Sequence, residues 1–234
     1  MILLTRPVLD NQKLAEKLDR AGGDFFAEPL FTIRFFSADL PACEEGQGLA
    51  FTSANGVRAL MEQKNAAPFL ALPAFAIGGI TAKTLAGFGF ENIITADGNM
   101  QSLAEAILRH SDIGSVLHIA GAHRAGNLVA LLQKGNLPAS LLQLYESEAI
   151  KHFSEKLCAA LQEKKITGVV FYSGRAIETF TALCKQHGLS AHITTLSAFC
   201  LSSALAELAC KKGFVDVHTA AAPNEEAMLI LLRR

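Results

Sequence analysis

Tyr145, in the run "SLLQLYE", carries the group in this chain best suited to moving a proton. A phenol can donate to a departing leaving group, although a tyrosine in such a run can equally pack as a half-buried strand residue. Around it the sequence offers hydroxyls and small residues at four places where an apolar run meets a helical pattern. These are Thr52-Ser53-Ala54-Asn55, Gly78-Gly79-Ile80-Thr81, Ser173-Gly174-Arg175 and Ser202-Ser203. Such residues cap helices, and a helix N-terminus beyond a parallel strand also presents unpaired N–H groups to an anion. Four junctions of one kind suggest binding of a ligand that carries several carboxylates or phosphates. Basic side chains stand close to these places: Arg6, Arg58, Lys83, His123, Arg124 and Arg175. A guanidinium suits a carboxylate through two parallel hydrogen bonds, or it is simply solvated.

Other chemistry finds less support. No Gly-x-Ser-x-Gly occurs, and no cysteine stands at a strand–helix turn beside a histidine base, apart from Cys200 in a run that reads as buried. "GAHRAGN" has the two glycines of a phosphate loop, but Asn127 occupies the lysine position, and no Gly-x-Gly-x-x-Gly follows any strand. Cys184, His187 and His192 match no zinc spacing. We therefore expect no metal and no cofactor.

The elements that must position these groups are short apolar runs separated by helical patterns: "ILLT", "LAFTS", "FAIGG", "NIITA", "VLHIAG", "SLLQLYE", "GVVFYS", "TTLSAFC" and "VDVHTA". Strands apolar throughout and alternating with helices indicate parallel sheets covered on both faces, an α/β class. The chain also repeats itself. "LAFTSANGVRAL" returns as "VVFYSGRAIETF", aligning Phe51 with Phe171 and Ser53 with Ser173, and "FAIGGITAKTLAGFGF" lies without gaps on "FCLSSALAELACKKGF". Each block then leads into a strand and a helix expected to open at Ser102 or Asn224.

We read two similar parallel-sheet α/β domains produced by internal duplication and joined by a two-stranded β-ladder acting as a hinge. Residues 1–30 with 151–234 form a discontinuous domain, 38–144 an inserted one, and 31–37 and 145–150 the connecting strands. "SADLPACEEGQG" is the nearest thing to a flexible linker.

Composition narrows the partners. The 234 residues are 50% hydrophobic and 18% charged, enough to bury a large core. A formal net charge of −1 gives no long-range pull on nucleic acid. No apolar run approaches the roughly 18 residues of a membrane span, and "MILLTRP" breaks at Arg6 and Pro7, so the expected location is the cytoplasm. Five cysteines, an odd number and mostly among apolar neighbours, read as reduced thiols. Nothing demands a dimer, and a monomer is expected.

The sequence resembles the uroporphyrinogen-III synthase family over nearly its whole length. The likeness rests on "LLTRP", "FTSANGV", "AIGGITAKTLAGFGF", "HIAGAHRAGNL", the "LYES" connector, "VVFYSGRAIETF" and "AAAPNEEAMLILL", in that order and spacing. The resemblance implies two α/β domains with the active site in the cleft between them. It implies the substrate hydroxymethylbilane, a linear tetrapyrrole with eight carboxylates, and a transient hand-over from the preceding pathway enzyme. The implied reaction loses water and closes the ring with inversion of ring D through a spiro intermediate. On this likeness Tyr145 assists departure of the hydroxyl, and Ser53, Ser173 and Thr81 bind carboxylates or pyrrole N–H groups. Ala54, Gly174, Ser202, Ser203, Arg6, Arg124 and Arg175 complete the expected substrate-binding set. Two features depart from the family pattern. Ser202 and Leu205 replace the glycine and threonine of the second Gly-x-x-Thr-Ala junction, and "GAHRAGN" lacks the usual glycine-arginine-glutamate run. The rival reading is a non-catalytic, two-lobed binding protein for a small polyanionic ligand.

Overall fold

A computed structural model describes residues 1–19, 23–96, 99–124 and 126–233 of the chain. The chain opens with β1 (Ile2–Leu4), α1 (Val8–Asp19), β2 (Phe25–Ala27) and β3 (Phe31–Phe35). It continues through β4 (Gln47–Phe51), α2 (Ala54–Met61), β5 (Ala74–Ile77), α3 (Gly78–Gly87), β6 (Ile93–Ala96) and α4 (Met100–Leu108). Then come β7 (Ser115–Gly121), α5 (Leu128–Lys134), β8 (Ala139–Ala149) and α6 (Glu155–Gln162). The last part holds β9 (Gly168–Phe171), α7 (Gly174–Gln186), α8 (Ser190–Ile193), β10 (Ser197–Cys200), α9 (Ser203–Lys211), β11 (Asp216–Thr219) and α10 (Glu225–Leu232).

The elements gather into two units, Met1–Thr32 with Glu148–Arg234, and Ile33–Ser147. In the first unit the strands run β11-β10-β9-β1-β2, all parallel. In the second, β6-β5-β4-β7-β8 are likewise parallel, with β3 added beside β8. Aligning β9 with β4 and β10 with β5, as the sequence repeat requires, matches the two orders strand for strand, with β1 opposite β7. The duplication is therefore a duplication of topology, with the counterpart of the first strand arriving late in the second copy.

Alternation of side chains across the pleat gives each sheet two apolar layers. Leu3, Val169, Phe171, Ala198 and Cys200 pack on one face of the first sheet, and Leu4 and Val170 on the other. Leu49 and Phe51 face one layer of the second sheet while Ala50, between them, joins Phe75 and Val116 in the opposite layer. β4 is buried at all five positions, as a central strand with helices on both sides must be.

β3 and β8 are neighbours, and their hydrogen bonds show the direction. Phe36 N–H donates to Leu144 O at 2.8 Å and Ile150 N–H to Leu30 O at 3.0 Å, so one strand ascends as the other descends, the antiparallel pattern. The boundary between the units falls within both strands. The "SADLPACEEGQG" segment has few regular bonds of its own, but its start is tied down. The buried Gln63 accepts from Ala38 N–H at 3.0 Å and donates to Phe36 O and Ala59 O.

One helix start differs from expectation. α4 is capped by Asn99, whose side chain accepts from Gln101 and Ser102 N–H, while Ser102 Oγ accepts in return from Asn99 N–H at 3.1 Å. Ser102 is thus the distal half of a reciprocal cap rather than the cap itself. α10 does open behind Asn224, which accepts from Ala227 N–H.

His118, in the middle of β7, is 1% exposed with its Nε2 unpartnered. Burial, reinforced by the charge of Arg124, pulls its pKa down to about 4 from an ordinary 6.5. The folded state thus refuses a proton that the unfolded chain accepts below pH 6.5, so stability is full above that pH and falls toward pH 4. The loss expected from this one group is about 3 kcal/mol. Denaturant titrations of wild type and His118→Leu at pH 7 and pH 4.5 should show a steeper acid loss in the wild type.

Candidate functional site

The C-terminal edge of the second unit's sheet collects most of the hydroxyl groups. β4 ends at Phe51, and Ser53 caps α2 from an extended backbone, its Oγ accepting from Asn55 N–H at 3.1 Å. Ala54, the first residue of α2, is buried. β5 runs directly into α3 through Gly78, whose φ of +73° requires glycine, and Ile77 supplies no side-chain cap. A Cβ at Gly78 or Gly79 would meet nothing within 4 Å, so the first turn of α3 is bare backbone. Thr81 follows in that turn but is 5% exposed.

Tyr145 reaches this edge by an irregularity in pairing. β7 and β8 match residue for residue from Val116 opposite Ala139 to Ala120 opposite Gln143, then Gly121 pairs with Tyr145. One extra residue on β8 reverses the alternation there, and Leu144 and Tyr145 both pack on the layer of Leu49, Phe51 and Ile119. Ala122 N–H closes the irregularity by donating to Tyr145 O at 2.9 Å.

The ring lies directly over Gly121, where a Cβ would stand 2.7 Å from Cε2 and 2.9 Å from Cζ. Burial pushes the Tyr145 phenol above its ordinary range, against the opposing pull of hydrogen bonding to the Ser53 side chain and the Gly121 backbone. A phenol so placed is protonated at neutral pH, hence an acid rather than a base. Arg124, after β7, folds back on the strand end, donating to Gly121 O at 3.0 Å. Among the other bases of this unit, Arg58 is bound to Asn55 Oδ1 at 2.6 Å, and Lys83 and His123 are exposed.

The first unit repeats the pattern with different detail. Ser173 caps α7, accepting from Ala176 N–H at 3.3 Å, and Gly174 opens the helix. Arg175 in that first turn stacks on Phe31 with its Cζ 4.8 Å from the ring centre. Ser202 stands at the start of α9 without making a cap bond, and Ser203 beside it is exposed. Arg6, at the end of β1, bonds to Asp10 and Glu225 and covers the ring of Tyr172. Sequence reasoning passed over Tyr172, Asp10, Glu225 and Gly121. Only the last left a local signal, a glycine closing the apolar run "VLHIAG".

Cys200 and Cys184 are buried, and burial pushes both thiols up to about 12, which leaves neither as a thiolate nucleophile. Among the described residues no group of three or more His, Cys, Asp and Glu side chains could hold a metal ion, and no helix is long and apolar enough to cross a membrane.

Gly121→Ala tests whether the ring's place depends on the missing side chain. The added methyl should cost about 1–3 kcal/mol of stability, read by denaturant unfolding, and should shift the Tyr145 ring resonances.

Comparison with known proteins bears on the family and the fold. The family model described as "Uroporphyrinogen-III synthase HemD" matches residues 12–230. "Porphyrin biosynthesis protein HemD" of Ruminiclostridium josui is 27% identical over 228 residues, covering 90% of this chain and 44% of that protein. The chain therefore spans less than half the length of this curated relative. In fold it is similar to uroporphyrinogen-III synthetase of Helicobacter pylori, with a TM-score of 0.69 at 20% identity over 98% of this chain and 96% of that one. It is similar also to a mutant uroporphyrinogen III synthase of Thermus thermophilus, with a TM-score of 0.55 at 15% identity over 100% and 96%. A family match over nearly the whole length, on a fold shared with solved synthases, makes this chain a member of the uroporphyrinogen-III synthase HemD family.

Proposed function

We propose that the chain is a uroporphyrinogen-III synthase, a cyclising hydro-lyase that closes hydroxymethylbilane with inversion of ring D. The observation that carries this reading is Tyr145, held protonated over Gly121 and beside Ser53 at the strand edge of a chain that the family model spans. Tyr145 donates its proton as the C–O bond of the terminal hydroxymethyl group breaks, so that water leaves and ring A becomes an electrophilic azafulvenium cation. The substituted carbon of ring D attacks the methylene, giving a spiro pyrrolenine. Its bond to the neighbouring methylene then breaks and reforms at the other α carbon, and the proton lost on aromatisation replaces the one Tyr145 gave. The net change is loss of one water.

Ring D attacks by the same route only if the flexible chain is held, because closure without inversion needs no protein. Catalysis is therefore mostly orientation. The proposed carboxylate and pyrrole donors are Ser53, Thr81 and the bare first turn of α3 with the Ala54 backbone in one unit, and Ser173, Gly174, Arg175, Ser202 and Ser203 in the other. Arg124 joins them if its guanidinium leaves the Gly121 carbonyl. The chain is proposed to act as a cytoplasmic monomer, without cofactor, receiving substrate from the enzyme that makes it.

The test is the isomer composition of uroporphyrin after protein meets freshly generated hydroxymethylbilane, followed by oxidation and chromatography. Isomer III should predominate, and Tyr145→Phe should lower kcat by about a hundredfold while KM stays near the wild-type value. Isomer I alone, at the rate seen without protein, would leave a polyanion-binding protein instead.

A further inference from the structure

Arg6 looks from sequence like a ligand for a substrate carboxylate, yet its charge is already met. Its guanidinium is 3.2 Å from Asp10 and 3.1 Å from Glu225, and these side chains are 21%, 17% and 17% exposed. With a carboxylate on each side, the guanidinium has little charge left to offer an incoming carboxylate. The carboxylates have a second reason to stay. Asp10 and Glu225 lie in the first turns of α1 and α10, where the helix N-terminus favours negative charge.

The same corner is stitched by its neighbours. Arg6 N–H donates to Asn11 Oδ1 at 3.1 Å, Asn11 Nδ2 donates to Leu4 O at 3.0 Å, and Thr5 Oγ1 donates to Val170 O at 2.7 Å. The guanidinium also lies over the Tyr172 ring, 4.6 Å from its centre. Tyr172 precedes Ser173, the cap of α7. The Tyr172 hydroxyl is buried with no well-formed hydrogen bond of its own, and the nearby Arg6 guanidinium pulls against the burial that pushes the phenol up to about 12, so Arg6 acts on both the ring face and the hydroxyl.

We propose that Arg6 is a positioning residue: it latches α1 and α10 to the ends of β1 and β9 and, through the face of Tyr172, fixes the Ser173–Gly174 turn, and it does not ligate the substrate. Its kinetic consequence rests on the synthase reading, and its structural consequence does not. A residue that bound substrate would be relieved of competition by removing Glu225, whereas a latch is broken by the same change.

The experiment is amide hydrogen exchange together with steady-state kinetics on Arg6→Gln, Glu225→Gln, the double variant and Arg6→Lys. Glu225→Gln should raise exchange in α10 and in residues 172–176 by about tenfold. It should lower kcat with KM held within about twofold. Arg6→Gln should do the same or more, the double variant should be no worse than Arg6→Gln, and Arg6→Lys should restore part of the loss. Tyr172→Phe, which keeps the ring face, should lose less than Tyr172→Leu, and Tyr172→Leu should behave as Glu225→Gln. Should Arg6→Gln fail to fold, Glu225→Gln and Tyr172→Leu still read the latch. A lower KM in Glu225→Gln, or unchanged exchange in both of those variants, would overturn the proposal. Failure of the wild type to form isomer III would remove the synthase reading and leave the exchange result to decide the latch.

Discussion

A parallel strand cannot return to its neighbour by a tight turn, and this constraint organises the molecule. Successive parallel strands of one sheet are joined through helices, so the C-termini of the parallel strands and the helix N-termini that follow them come to one edge of the sheet. Ser53, Thr81, Ser173 and Ser202 stand at such edges because the chain has no other place to change from strand to helix. Burial of both sheet faces removes the alternative of a polar strand, which is why hydroxyls concentrate where the apolar runs stop.

Tyr145 reaches the edge by another device. It lies within a strand, and one extra residue in β8 sets its ring over the glycine that ends β7. Position, burial and protonation follow from one contact: the bulge aims the ring, the absent Cβ admits it, and the apolar layer beneath keeps its phenol neutral. A phenol placed by backbone geometry is less movable than one on a loop, which would suit the acid of the proposed reaction, whose difficulty is orientation.

Much of this was legible because it is local. The nine apolar runs each fall on a strand, and the repeat of "LAFTSANGV" in "VVFYSGRAI" points to two similar α/β domains, whose sheets have matching order. What lay hidden depends on distance or register. β2 is three residues on a sheet edge, too short for a pattern to show. The sequence suggests that α4 opens at Ser102, because a hydroxyl three residues into a helix looks the same in sequence as one at its start, and only the reciprocal bond with Asn99 separates them. The bulge at Gly121 leaves no trace in composition. Asp10, four residues on, is a partner for Arg6 within reach of the sequence, but the second, Glu225, lies 219 positions away.

The two halves have diverged at the same edge. Ser53 and Ser173 both cap their helices, but a phenol overlies the strand end in one unit and an ion-paired arginine on a tyrosine face occupies it in the other. The chain has two tyrosines, Tyr145 and Tyr172, so ring-labelled protein gives two tyrosine signals, assignable with Tyr145→Phe. The most direct measurement follows these signals by carbon-13 NMR as uroporphyrinogen III, the proposed product, is added without oxygen. The Tyr145 resonance should shift in step with saturation while that of Tyr172 moves little. A Tyr145 resonance unmoved at saturation would contradict the account, since the proposed acid would then not be at the ligand.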